Sequence, residues 1–185
     1  MAGLPYTIRE LEAEHLTADR IAQIDHIFFE TSGRTFSSPE ERSAFRERWL
    51  GRFLQGGTDV VLVAQAGAAK IVGYLVGSLE DPAAQPRFAD IAYFREDFRD
   101  LCRAYPAHLH INLALPFRGK GVGQHLIEAF AERALAAGAP GMHVVTGSQA
   151  RNLNFYARCG FVLLETAASH GREVAFLGRR LGTSS

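Results

Sequence analysis

The chain has 185 residues, 47% apolar and 22% charged, a size and mix that suit one soluble domain around one hydrophobic core. Its 20 lysines and arginines equal its 20 aspartates and glutamates, so charge gives no reason to expect a nucleic-acid or membrane partner. The opening residues do not read as a signal peptide, no segment nears the roughly 20 unbroken apolar residues that span a bilayer, and Cys102 and Cys159 form no CxxC pair. The expectation is a cytoplasmic protein with reduced thiols and no metal site.

Tyr6 to Leu11 alternates and predicts a first strand. Thr17 or Asp19 can cap a helix that carries Ile21, Ile24, Ile27 and Phe28 at helical spacing. Ser38-Pro39-Glu40-Glu41 reads as a second helix start, with Pro39 at the first helical position and acids in the first turn. Phe45, Trp49 and Phe53 follow at i, i+4, i+8 and predict one buried helix face. Gly56-Gly57 is a break. Asp59–Ala66 and Lys70–Glu80 read as a hairpin around Gly67. Asp81–Pro86 is a loop, and Phe88–Tyr105, aromatic and charged with poor periodicity, predicts one or two short helices. Ala107–Leu115 is a strand and Gly121–Ala137 a helix, stopped by Gly138 and Pro140. Gly141–Thr146 is a strand, Asn152–Arg158 a short helix ended by Gly160, and Phe161–Glu165 with Glu173–Leu181 a final β pair. The middle is a β-α-β unit, so at least one strand pair should be parallel.

The informative stretch is Leu115-Pro116-Phe117-Arg118-Gly119-Lys120-Gly121-Val122-Gly123, which follows a strand and opens a helix. Glycines at a helix start are costly unless the backbone must approach something closely. Free N–H groups and the helix dipole make such a terminus an anion site, and Arg118 and Lys120 add positive charge. A Walker loop needs Ser or Thr after Gly-Lys, and Lys120 is followed by Gly121. A dinucleotide fingerprint needs a third glycine at position 124, which is Gln124. What remains is Arg-x-x-Gly-x-Gly, suited to a pyrophosphate; a tight turn packing helix on strand without ligand is the alternative.

That segment resembles the coenzyme A loop of the GNAT acyltransferase superfamily, Arg/Gln-x-x-Gly-x-Gly/Ala, between the fourth strand and third helix. Downstream, Asn152-Leu153-Asn154-Phe155-Tyr156-Ala157-Arg158-Cys159-Gly160-Phe161 is similar to the family's Asn-x-x-Phe-Tyr-x-x-x-Gly-Phe. Tyr105 to Leu113 is similar to a bacterial subgroup related to the acetyltransferase-like domain of O-GlcNAcases. Two departures stand out. Only Phe117 separates Pro116 from Arg118, and the position seven residues before the tyrosine holds Gln149, with Asn152 four residues before it.

The resemblance implies a single acyl-CoA N-acyltransferase domain over residues 1–185, α/β, with a mixed sheet of about six to seven strands flanked by helices and splayed between its fourth and fifth strands. It implies acetyl-CoA as cofactor and a small-molecule or protein amine as acceptor, in a monomer or a homodimer. Cofactor contacts fall on Leu113, Ala114, Leu115, Arg118, Gly119, Lys120, Gly121, Val122, Gly123, Gln149, Asn152 and Tyr156. The N–H groups of Leu113 and Leu115 are candidates to bind the pantetheine arm, and that of Leu113 to polarise the thioester carbonyl.

Tyr156 is the candidate general acid toward the leaving thiolate. His108, His110 and Asn112 share one strand face, and His110 is the candidate base, against the alternative that both histidines are structural. Tyr93, Phe94 and Phe98, with Asp97 and Asp100, are candidates to line an amine cleft or, equally, to pack a helix. The expected activity is N-acetyl transfer to a primary amine; the rival is a module that binds acetyl-CoA without transferring it.

Overall fold

The computed structural model describes residues 6–55 and 59–182. Seven strands form one mixed sheet: β1 (Tyr6–Glu10), β2 (Asp59–Ala66), β3 (Lys70–Ser78), β4 (Ala107–Leu113), β5 (Gly141–Gly147), β6 (Val162–Ser169) and β7 (Arg172–Arg180). Their hydrogen-bonded order is β1-β2-β3-β4-β5-β7-β6. The helices are α1 (Ala18–Ser32), α2 (Pro39–Trp49), α3 (Arg99–Ala104), α4 (Val122–Ala136) and α5 (Leu153–Arg158). This is the α/β class expected, with a parallel β4–β5 pair at its middle.

The chain packs as two compact units: residues up to Gly77 with His110–Phe130, and Ser78–Leu109 with the residues from Ala131 on. In the first unit, β1 runs antiparallel to β2, and β2 reaches β3 through a turn at Gly67, whose φ of 59° is left-handed. The Thr17 side chain caps α1 and the Ser38 side chain caps α2. Ile24, Ile27 and Phe28 of α1, and Leu126, Ile127 and Phe130 of α4, are buried. Phe45, Trp49 and Phe53 do not share one helix face, because α2 ends at Trp49 and Gly51–Phe53 is a separate 3-10 turn. Phe45 stacks on Phe28 instead, at 5.3 Å. The Gly56-Gly57 break lies outside the described residues.

In the second unit, β5, β7 and β6 form an antiparallel set. The parallel β4–β5 ladder covers only Ala107↔Met142 and His108↔His143, after which the expected splay begins. The Phe88–Tyr105 segment holds two 3-10 turns and α3. It is aromatic because it is core: Phe88, Phe94 and Phe98 are all buried. The final hairpin is longer than its alternation suggests, since β6 runs on to Ser169 through a bulge between Leu163 and Glu165. Among the described residues no helix is long and apolar enough to cross a membrane.

Candidate active site

β4 stops at Leu113, two residues earlier than its apolar pattern extends, because Leu115–Phe117 winds into a 3-10 turn with Pro116 inside it. Arg118 is extended, Gly119 (φ 72°) and Gly121 (φ 80°) are left-handed, and α4 begins at Val122. These two glycines supply a path that side-chain-bearing residues resist. The first backbone bond of α4 is His125 N–H to the Gly121 carbonyl, 3.1 Å. The N–H groups of Gly119 through Gln124 therefore have no backbone acceptor among the described residues. Arg118, Gly119, Lys120 and Gly121 are exposed. A terminus with this run of free donors, the positive end of a 15-residue helix and two flanking cations fits an anion.

Leading into the loop, the Ala114 N–H donates to the Val72 carbonyl of β3, 3.0 Å. Strand N–H groups alternate in direction, so that of Leu113 points away from β3. Arg118 reaches the same edge, its Nε donating to the Leu113 carbonyl at 3.2 Å. The strand end thus offers a main-chain donor beside a guanidinium. Gly73 of β3 makes room for this edge, because a Cβ there would collide with the Leu113 side chain.

Sequence reasoning missed Gly73, and it missed Tyr6. The Tyr6 hydroxyl and His125 Nδ1 are hydrogen-bonded at 2.7 Å across 119 positions, and the same hydroxyl lies 3.8 Å from where a Cβ at Gly121 would sit. No local motif signals a contact between the first strand and the loop.

Tyr156 of α5 is 5% exposed, with its ring 5.2 Å from Phe155 and 5.6 Å from Phe161. Its hydroxyl makes no hydrogen bond among the described residues. Burial, with a smaller effect of Cys159, raises its pKa above the ordinary tyrosine range, so the phenol stays protonated. Asn152 precedes α5, and its Oδ1 accepts from Thr146 Oγ1 at 3.3 Å, which orients its amide as a donor. Gln149 is exposed on the turn after β5.

The polar face of β4 divides into three settings. His108 is 3% exposed and sits among Phe88, Phe94 and the parallel ring of His143, a structural position. His110 presents its ring to Trp49 (5.6 Å) and Phe53 (5.3 Å). Desolvation there, and then the Arg52 charge, push its pKa down from 6.5 to about 4. Asn112 donates to the Tyr74 hydroxyl at 2.9 Å and faces Thr31 Oγ1 at 3.0 Å.

The proposed aromatic cleft is corrected by the structure. Tyr93, Phe94 and Phe98 are 8%, 4% and 0% exposed and pack together, while only Asp97 and Asp100 face solvent. Periodicity could not tell a cleft from a core because the turns are 3-10.

Residues 21–161 match the family described as the Acetyltransferase (GNAT) family. The chain belongs to the GNAT family of acetyltransferases. Solved structures agree in fold. A GNAT-family protein from Desulfovibrio desulfuricans is 15% identical, with 96% of this chain and 99% of that one covered and a TM-score of 0.68. A phosphinothricin acetyltransferase from Sinorhizobium meliloti, in complex with acetyl-CoA, is 23% identical over 97% and 90% of the two chains, TM-score 0.60. The ribosomal-protein-S18-alanine N-acetyltransferase of Escherichia coli is 14% identical over 97% and 96%, TM-score 0.61. The GNAT cofactor is acetyl-CoA, and the free donors and cations of the Arg118–Gly123 loop fit its pyrophosphate.

Proposed function

We propose that this GNAT protein transfers an acetyl group from acetyl-CoA to a primary amine. The observation that carries the reading is the run of N–H groups from Gly119 to Gln124 that have no backbone acceptor among the described residues, together with the exposed Arg118 and Lys120. When bound, acetyl-CoA supplies the acetyl group: a C–N bond forms, the C–S bond breaks, and nitrogen loses one proton while sulfur gains one.

The residues divide the work. Gly119, Lys120, Gly121, Val122 and Gly123 hold the pyrophosphate with main-chain donors. Arg118 adds charge and braces the strand end through Leu113. The Leu113 N–H polarises the thioester carbonyl as negative charge develops on its oxygen, and the Ala114 and Leu115 backbone lines the pantetheine arm. Asn152 and Gln149 supply amide donors. Tyr156, kept protonated by burial, gives its proton toward the departing sulfur. His110, neutral above about pH 4, accepts the proton that nitrogen sheds. A nitrogen already joined to an acyl carbon sheds it far more easily than a free ammonium, so a weak base suffices.

The second reading is an acetyl-CoA-binding module without transfer. It is favoured by the weakness of His110 as a base, by the absence of a carboxylate from β4 and by the narrower resemblance of Tyr105–Leu113 to the acetyltransferase-like domain of O-GlcNAcases. Cys102 and Cys159, buried and not joined in a disulfide, support a reducing, cytoplasmic setting for either. Coenzyme A thiol release over a panel of primary amines decides. Release matched by N-acetyl product in a mass spectrum is expected; saturable acetyl-CoA binding with no product from any amine would establish the module instead.

A further inference from the structure

His125 lies in the first turn of α4, two residues past the glycine loop, and its side chain leans back over that loop. Its N–H closes on the Gly121 carbonyl at 3.1 Å, and a helical side chain covers the turn before its own Cα, here the turn that opens at Gly121. Tyr6 of β1 fixes where the ring stands. The Tyr6 hydroxyl is 2.7 Å from His125 Nδ1 and 3.8 Å from the point a Cβ on Gly121 would occupy. The imidazole is therefore held close to the Gly121 backbone, in the same compact unit as the whole loop.

The bond also sets the chemistry of the ring. Tyr6 is 5% exposed while His125 is exposed, so Nδ1 is the inner nitrogen and Nε2 the outer one. A phenol keeps its proton up to about pH 10, and this buried one has no other acceptor among the described residues, so it donates to Nδ1. The proton of the neutral ring is then on Nε2. In the imidazolium, Nδ1–H donates to the phenol oxygen instead and Nε2–H is unchanged. Either way the outer nitrogen is a donor, and nothing among the described residues accepts from it.

We propose, on the reading of Arg118–Gly123 as the pyrophosphate loop, that His125 is a further cofactor-binding residue whose Nε2–H donates to a phosphate oxygen of acetyl-CoA, and that Tyr6 is the positioning residue that aims it. Acetyl-CoA offers its pyrophosphate and the 3′-phosphate of its ribose, and either accepts from an N–H. The side-chain donor adds to the main-chain donors of the loop, and it is strengthened by the charge of its acceptor. Without the Tyr6 hydroxyl the ring is free to turn, and the donor loses its direction.

Two amides separate the two nitrogens: an asparagine side chain reaches only as far as Nδ1, and a glutamine reaches as far as Nε2. Acetyl-CoA is titrated calorimetrically into the full-length protein and its variants. His125→Asn is expected to raise Kd about tenfold, the scale of a hydrogen bond to a charged group. His125→Gln should restore most of that loss, leaving Kd within about threefold of the unaltered protein. Tyr6→Phe keeps the ring and should raise Kd several-fold, yet add nothing in the His125→Asn background, where no donor is left to aim. Acetyl-dephospho-CoA, which lacks the 3′-phosphate, identifies the acceptor: a loss equal to that for acetyl-CoA assigns the pyrophosphate, and no loss assigns the 3′-phosphate. Unchanged acetyl-CoA affinity in His125→Asn, or equal losses in His125→Asn and His125→Gln, overturns the proposal for His125. A further loss from Tyr6→Phe in the His125→Asn background overturns that for Tyr6. Gly121→Ala is run beside them. If it weakens binding while His125→Asn does not, the loop stands and His125 is excluded from it; if neither weakens binding, or the unaltered protein binds no acetyl-CoA, the loop reading falls and this one with it.

Discussion

The Arg118–Gly123 loop and the Phe88–Tyr105 segment are both unusual in composition, yet the first is exposed from Arg118 to Gly121 and the second buries its aromatic side chains. In the loop, Gly119 and Gly121 mark backbone that turns left-handed and stays uncovered, which supports the proposed anion site. In the aromatic segment, the same side chains would serve a cleft or a core, and only packing decides. A site proposed on backbone donors is therefore easier to read here than one proposed on side chains.

That contrast can be broken most sharply at Tyr156, where a buried side chain is assigned chemistry. Tyr156→Phe should lower kcat by roughly 10² with acetyl-CoA affinity little changed. Full activity in the Phe variant would return Tyr156 to the core, alongside Phe94 and Phe98. Because burial raises the Tyr156 pKa, its ionisation should cause no alkaline loss of rate below about pH 10, which a pH–rate profile checks.

Next in size is the loop itself. Gly121→Ala places a side chain at φ 80° at the helix start and should weaken acetyl-CoA binding about tenfold, from a strain of about 1–2 kcal/mol. Gly33→Ala is the control, since Gly33 has a φ of 63° and open space around it but ends α1. It should lose similar stability and keep its affinity. A smaller effect is expected at Gly73, where alanine must displace the Leu113 side chain. Several-fold loss of kcat with unchanged acetyl-CoA affinity would tie the Leu113 backbone to carbonyl polarisation.

His110 should give the smallest effect on rate near neutrality. With its pKa held at about 4, it produces no acidic limb between pH 5 and 8, and one that disappears in His110→Phe would contradict its setting. Its effect on stability has a definite sign. The unfolded imidazole binds protons below about pH 6.5 and the folded one does not until about pH 4. Stability from this site is thus complete above pH 6.5 and lost as pH falls toward 4, by up to about 3 kcal/mol. His110→Phe should flatten the fall of Tm over that window.

Much of the fold was legible because its signals are local. The Ser38-Pro39 start, the Gly138 stop and the β-α-β order around the loop all appear as expected. What escaped were events set by distant partners. Phe53 looks like the next turn of a helix until the chain breaks at Leu50 to bring Phe53 against His110. Leu115 looks like strand until Pro116 winds it into a 3-10 turn. Within the proposed site, the candidate pyrophosphate loop was written in one stretch, whereas the Tyr6–His125 bond and Gly73 beneath Leu113 join residues far apart in the chain.

The central claim is that the backbone of Gly119 to Gln124 holds acetyl-CoA. The most direct measurement is a calorimetric titration of the full-length protein with acetyl-CoA, with Gly121→Ala and Gly33→Ala beside it. Saturable binding near one ligand per chain, weakened about tenfold by Gly121→Ala and unaffected by Gly33→Ala, is the predicted result. No binding at millimolar acetyl-CoA, or equal affinity in all three proteins, would contradict it.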